Sequence, residues 1–239
     1  MPEIERFNLA PGRIIAKKFE VVAALGHGWQ GEVYLIRERS TGIERAAKLF
    51  YPERNPRNKA AKSYARKLHT LRHCPIVIHY HAEETMVIRR RPVTVLVSEY
   101  VAGELLSRFL DRQRGKRLYP FRALHLLHAL ACGVTDMHAK REYHGDLHSD
   151  NVIVTHAGLS FDLKVLDLIQ WEASKRASMQ DDICDVIYLF YEALGGQRWY
   201  SRQPQWVKDI VRGNRRSLIL ARFPTAAHLK RYLEALTCP

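Results

Sequence analysis

The period of the apolar residues changes once along the chain, near Gly103, and that change limits what the chain can fold into. Between Phe19 and Phe50 short β-favouring runs (FEVVAAL, EVYLIRE, IERAAKLF) are parted by the turn-forming stretches GHGWQG and STG, which predicts three consecutive antiparallel strands. A proline-bearing gap, YPERNPRN, leads into KAAKSYARKLHTLRHC, where Tyr64, Leu68 and Leu71 recur at helical spacing. VIHYHAEETMVI and VTVLVSEYV predict two further strands. Beyond Gly103, LLSRFL, ALHLLHALACGVTDMHAK, DDICDVIYLFYEAL and AAHLKRYLEAL all carry helical period, interrupted by one strand-like stretch, FDLKVLDLIQW. The expected fold class is therefore α+β, with a β-rich part over residues 1–97, five strands and one helix, and a mainly helical part over residues 98–239.

At 239 residues and 46% hydrophobic content the chain can bury a core. Its formal net charge of +13 predicts attraction to polyanions such as ATP, nucleic acid, anionic lipid or an acidic protein. The basic stretches 89–91, 111–117 and 211–222 would suit a polyanionic partner, although charge runs of this kind are more often solvated faces. The N-terminal stretch MPEIERFNLAPGR carries acids where a leader needs an apolar run, and no apolar stretch approaches the roughly 20 residues that span a bilayer. Cys74, Cys132, Cys184 and Cys238 are widely spaced, so reduced thiols and a cytoplasmic location are expected. His73, Cys74, His79 and His81 in HCPIVIHYH match no zinc signature, and Ser149 in HGDLHSD lacks the G-x-S-x-G elbow of a nucleophilic serine.

Five stretches carry the candidate chemistry. LGHGWQGEV holds Gly26, Gly28, Gly31 and Val33 between two predicted strands, where backbone amides can approach a phosphate with no β-carbon in the way. RAAKLF puts Lys48 on the third strand, and LVSEYVAGELLSRFL runs from a strand into a helix. YHGDLHSDNVIV spaces Asp146 and Asn151 five apart before an aliphatic strand, and LKVLDLIQW ends a short strand near Asp167. In this order the motifs resemble the protein kinase-like superfamily from about Phe19 to Leu236, in particular its compact, atypical, RIO-like serine/threonine kinases.

The resemblance implies a two-lobed fold with ATP in the cleft and Mg2+, or Mn2+, as metal. Gly26, Gly28, Gly31 and Val33 would cover the nucleotide and Lys48 would hold its phosphates. Main-chain groups from Glu99 to Val101 would meet the adenine, behind Ser98, with Glu104 near the ribose. Asp146 would orient the acceptor hydroxyl and take its proton, His148 would donate to a phosphate oxygen, and Asn151 and Asp167 would bind the metal. Asp182 would brace the backbone of the Asp146 loop.

The chain also departs from the family pattern. The helix after Lys48 contains no acid, and Tyr64 or Ala65 falls where a glutamate is usual. Asp167 and the nucleotide would then hold Lys48, or Glu83 or Glu84 would substitute, or the lysine would be poorly held and catalysis weak. Gly145 stands where many regulated kinases carry arginine, so an activation-loop phosphate has no cation there to receive it. HGDLH resembles antibiotic and choline phosphotransferases as much as protein kinases. Only fourteen residues separate Asp167 from Asp182, with no Ala-Pro-Glu, which leaves little room for a peptide-docking platform. The expected activity is transfer of the ATP γ-phosphoryl to a hydroxyl, most naturally on a protein. The alternatives are a small-molecule kinase and a nucleotide-binding pseudokinase scaffold.

Overall fold

A continuous apolar strand seeks two neighbours, whereas an alternating one can lie at an edge, and this decides the first sheet. The computed structural model describes residues 3–157, 160–169 and 174–236. Its β-rich part is a six-stranded antiparallel sheet of β1 (Ile14–Ile15), β2 (Phe19–His27), β3 (Gly31–Glu38), β4 (Glu44–Phe50), β5 (Tyr80–Ile88) and β6 (Arg91–Glu99), in the order β1-β2-β3-β4-β6-β5. β6, with Val93, Val95, Leu96 and Val97 buried, pairs on both sides, and β5, alternating half-buried and exposed, takes the edge. α1 (Lys59–Thr70) turns Ala61, Tyr64 and Leu68 inward at helical spacing. One face of the sheet, with Val21, Tyr34, Ile36, Leu49 and Val95, is covered by Ile4 and Phe7 from the segment before β1.

The helical part carries a small antiparallel sheet of β7 (Glu104–Leu105), β8 (Val152–Ala157) and β9 (Phe161–Val165). Its helices are α2 (Leu106–Asp111), α3 (Pro120–Ala139), α4 (Lys175–Ala193), α5 (Gln197–Tyr200), α6 (Gln205–Val211), α7 (Arg216–Arg222) and α8 (Ala226–Glu234). α3 packs on α4 and α8, and Leu126, Leu130, Ile187, Phe190 and Leu229 on these helices are buried. Ser174 caps α4 by accepting from Ala177 N at 3.2 Å.

The chain divides into two compact units, Met1–Arg72 with Ile78–Val101, and His73–Val77 with Ala102–Pro239. This differs from a single division after residue 97. Val165 N donates to Ile76 O at 2.7 Å, and Val77 bridges Val165, so the short stretch before β5 belongs to the helical unit. β5 accordingly starts at Tyr80 rather than Val77, and a register shift falls between Tyr80 and Ala82, so His79 and His81 do not share one regular strand face. β9 stops at Val165, short of the strand-like LIQW, of which Gln170 and Trp171 lie outside the described residues, as do Glu172, Ala173 and Cys238. Among the described residues no helix is long and apolar enough to cross a membrane.

Candidate active site

The loop from Tyr143 to Asn151 is held at its start by a carboxylate with no exposure to solvent. Asp182, on α4, accepts from His144 N at 2.8 Å, from Gly145 N at 2.9 Å and pairs with His138 Nε2 from α3 at 2.9 Å. Charge-assisted bonds to main-chain amides are the strong kind, and here they fix the backbone just before Asp146. Gly145 has φ 87, a conformation in which an L side chain is strained. One turn further along α4, Asp185 accepts from Leu147 N, and its carboxyl is pushed up to about 7 by burial, reinforced by the charges of Asp182 and Asp181.

The far end of the loop closes on itself. Asn151 Nδ2 donates to Asp146 O at 2.9 Å and Asn151 N to His148 O at 2.9 Å. Because the amide nitrogen faces a carbonyl, the Asn151 side-chain oxygen faces the other way, which suits a hard cation. Leu166 N donates to Asn151 O at 2.8 Å, bringing Asp167 alongside. Asp167 has φ 54, a left-handed conformation that aspartate tolerates better than most residues and that tends to mark functional positions. His148 has Nε2 at 2.9 Å from Asn151 Nδ2 and 3.7 Å from Asp146 Oδ2, while its Nδ1 accepts from Asp150 N at 3.3 Å. The ring is therefore turned onto the loop itself.

In the β-rich unit β2 and β3 form a hairpin whose tip holds the glycines, closed by Gly28 N donating to Gly31 O at 2.9 Å. A Cβ on Gly31 would fall 1.9 Å from Leu49 O, so β4 requires glycine there. Gly26 and Gly28 face open space, so no packing contact in the chain demands their lack of a side chain. Val33 pairs with Lys48, and the Lys48 ammonium stands 5.0 Å from the centre of the Tyr64 ring, 5.5 Å from that of Phe50 and 3.3 Å from Gln30 Oε1. Tyr64 thus faces the lysine where a helix glutamate is usual. Glu83 and Glu84 are engaged elsewhere, with Asn58 Nδ2 and Lys18 Nζ, both at 2.6 Å.

Residues 19–207 match the family described as protein kinase domain. The chain belongs to this family. It is 28% identical over 204 residues to calcium-dependent protein kinase 4 of Plasmodium falciparum, covering 79% of this chain and 37% of that one. It is 31% identical over 163 residues to serine/threonine-protein kinase pkn2 of Myxococcus xanthus, covering 66% of this chain and 19% of that one. The chain spans 59% at most of these two and of a further kinase relative from Oryza sativa subsp. japonica. The crystal structure of the PknI kinase domain of Mycobacterium tuberculosis superposes with a TM-score of 0.66 over 96% of this chain and 98% of that one. At 18% identity this shows a shared two-part kinase fold.

In this kinase domain Glu99 commits its N–H to His79 O at 2.8 Å and its carboxylate to His79 N at 3.0 Å. Any adenine contact at Glu99 would fall to its carbonyl. Ser98 and Val101 are buried. The Glu104 carboxylate is gripped by Arg112, an exposed pair that contributes little to stability.

Several supporting residues were invisible to motif reading. His138 and Asp185 fall in no motif, Gln30 is a variable position inside the glycine motif, and Asp185 could have been suspected only as the next acid, three residues after Asp182, along a buried helix. Glu32 did leave a signal, since it alternates with Tyr34 and Ile36 on the inward face of EVYLIRE. Its carboxylate accepts from Phe7 N at 2.8 Å, Asn8 N at 3.2 Å, Tyr51 Oη at 2.9 Å and Tyr34 Oη. Burial alone would raise the Glu32 carboxyl, but the bonds from Tyr34, Phe7, Tyr51 and Asn8 outweigh it and hold the group below the usual range. Burial and the bond to Glu32 push Tyr34 and Tyr51 up to about 12.

Proposed function

We propose that the chain is a compact serine/threonine protein kinase domain that transfers the γ-phosphoryl of ATP to a hydroxyl. The observation that carries this reading is the Asp146 loop. A side chain that takes a proton must stand in a fixed place, and here the preceding amides are bound by Asp182 and the following turn is closed by Asn151. Asp146 accepts the proton as the acceptor oxygen bonds to the γ-phosphorus, the bond to the bridging oxygen breaks, and ADP leaves.

Asn151 and Asp167 fit magnesium, since both offer hard oxygens and the Asn151 amide is oriented by its nitrogen. When bound, magnesium neutralises charge on the phosphate oxygens. The glycine turn from Gly26 through Gly28 to Gly31 and Lys48 are assigned to the phosphates, Val33 and the backbone of Glu99 and Val101 to the base, and Glu104 to the ribose. His148 is assigned to holding the loop, on the strength of its contacts with Asn151, Asp150 and Asp146.

A small-molecule acceptor is the second reading, favoured by one feature: α4 begins at Lys175, eight positions after Asp167, which leaves little chain for binding a peptide. Release of ADP from Mg·ATP, followed in parallel with a serine- and threonine-rich protein mixture and with an aminoglycoside and a choline-type alcohol, separates the two. Stimulation by protein alone supports the proposal, and stimulation by an alcohol alone replaces it with the second reading. No ADP under any condition, despite nucleotide binding, points to a pseudokinase.

A further inference from the structure

Away from the Asp146 loop, three metal-ligating side chains converge where α3 meets α8. His128 and Cys132 lie four residues apart on α3, so both project from one face, one turn after the other. Glu234, the last residue of α8, reaches the same point from the neighbouring helix. Cys132 Sγ is 3.6 Å from His128 Nε2, His128 Nε2 is 3.7 Å from Glu234 Oε1, and the three ligand atoms all lie within 4.8 Å of one another.

These separations can be set against those a metal demands. Around a tetrahedral zinc ion, with Zn–S about 2.3 Å and Zn–N and Zn–O about 2.0–2.2 Å, any two ligand atoms stand about 3.3–3.7 Å apart. The His–Glu separation already falls in that range, whereas Cys132 Sγ stands 3.6 Å from Nε2 and 3.9 Å from Nδ1, beside the ring, so the half-exposed imidazole has to turn to aim its Nε2 lone pair at a shared metal. The donor set of one sulfur, one imidazole and one carboxylate suits zinc and would reject magnesium or calcium, which want oxygen alone. Asp136, exposed one turn beyond Cys132, adds negative charge to the same face, while Lys230 stands 3.9 Å from Glu234 and would have to yield. His128 and Glu234 are each nearly half exposed, so a fourth position is open to water.

We propose that His128, Cys132 and Glu234 form a zinc site that clasps α8 to α3, separate from phosphotransfer. α8 is nine residues long and holds to the unit through Ala226, Leu229 and Leu233, so a cross-link at its end should be visible as stability. Cobalt is the probe of choice, because the chain carries twelve histidines that could take up zinc weakly, whereas a thiolate–cobalt charge-transfer band reports a sulfur ligand.

The expected result for metal-free wild type is one cobalt per chain with a thiolate band, displaced by one equivalent of zinc. At a hundredfold excess over its dissociation constant, zinc should raise the melting temperature by about 5 °C. Cys132→Ser should lose the band and the shift. Glu234→Gln, an exposed change that spares the fold, should bind at least tenfold more weakly while melting like wild type without metal. Absence of the band in wild type, its survival in Cys132→Ser, or unchanged affinity in Glu234→Gln would each overturn the site.

Discussion

Lys48 and Asp146, the two side chains on which the proposed transfer depends most, are supported by different physics. The Asp146 loop is bound through its backbone to a fully buried carboxylate, Asp182, which also holds His138, and is closed at its other end by Asn151. The Lys48 ammonium meets, among its contacts, the rings of Tyr64 and Phe50 and the amide oxygen of Gln30. A buried carboxylate of comparable connectivity does exist in the β-rich unit, but Glu32 uses it to fasten the segment Phe7–Asn8 onto the sheet. One unit thus fixes the candidate base, and the other fixes its own N-terminal cover. The loop is thus held through its main chain by a buried carboxylate, whereas these contacts of the lysine are made by its ammonium, with two aromatic rings and an amide oxygen.

That contrast can be broken at its strongest point first. Asp182→Asn leaves two amides and a histidine around a neutral group, and unfolding experiments in urea should show a loss of about 3–5 kcal/mol. Turnover at temperatures where the variant is folded should fall with it. Glu32→Gln should cost about 2–3 kcal/mol by the same measurement while leaving turnover per folded molecule near wild type. Because the Glu32 carboxyl is held below its ordinary value, its contribution is present above about pH 4.5 and fades as the pH falls below that. The Glu32→Gln deficit should shrink in acid accordingly.

Asp185 gives the opposite sign. Its carboxyl titrates at about 7 in the folded chain against an ordinary 3.8, so between those values the folded state holds a proton that the unfolded state releases. Stability from this group therefore declines as the pH rises from about 4 to 7 and levels off above. Asp185→Asn keeps an acceptor for Leu147 N, so melting curves should place it on the order of 1–3 kcal/mol above wild type at pH 8 and level with it at pH 4. The smallest effect is expected at Tyr64. Tyr64→Leu removes the cation–π contact, worth about 0.5–1 kcal/mol, and should raise the KM for ATP about two- to fivefold. A hundredfold change would mean that the ring carries far more of the lysine's placement than this account gives it.

Local rules made much of the chain readable. The strand–turn–strand setting of the glycines follows from β-branched runs on either side of GHGWQG, and the five-residue spacing from Asp146 to Asn151 is what lets the Asn151 amide close a ring onto the Asp146 carbonyl. Tyr64 was visible as one of two residues at the place of the missing acid. What escaped was nonlocal. His138 lies 44 positions before the aspartate it pairs with, and no pattern along α3 announces that contact. Residues 73–77 read as the approach to a strand, but the hydrogen bond from Val165 to Ile76 draws them into the helical unit. The cover over the first sheet was equally hidden, since Ile4 and Phe7 are scattered apolar residues in a charged stretch, and what holds them, the carboxylates of Glu53 and Glu32 and the ring of Tyr51, lies far along the chain.

The most direct test of phosphotransfer is the intact mass of wild type and of Asp146→Asn after incubation with Mg·ATP, with the melting temperatures of both recorded. Phosphate is expected on wild type, with the variant slower by about 10² to 10⁴ and its melting unchanged. Equal phosphate on both proteins would contradict the role of Asp146, and phosphate on neither, even with the protein mixture supplied as acceptor, would contradict the kinase reading itself.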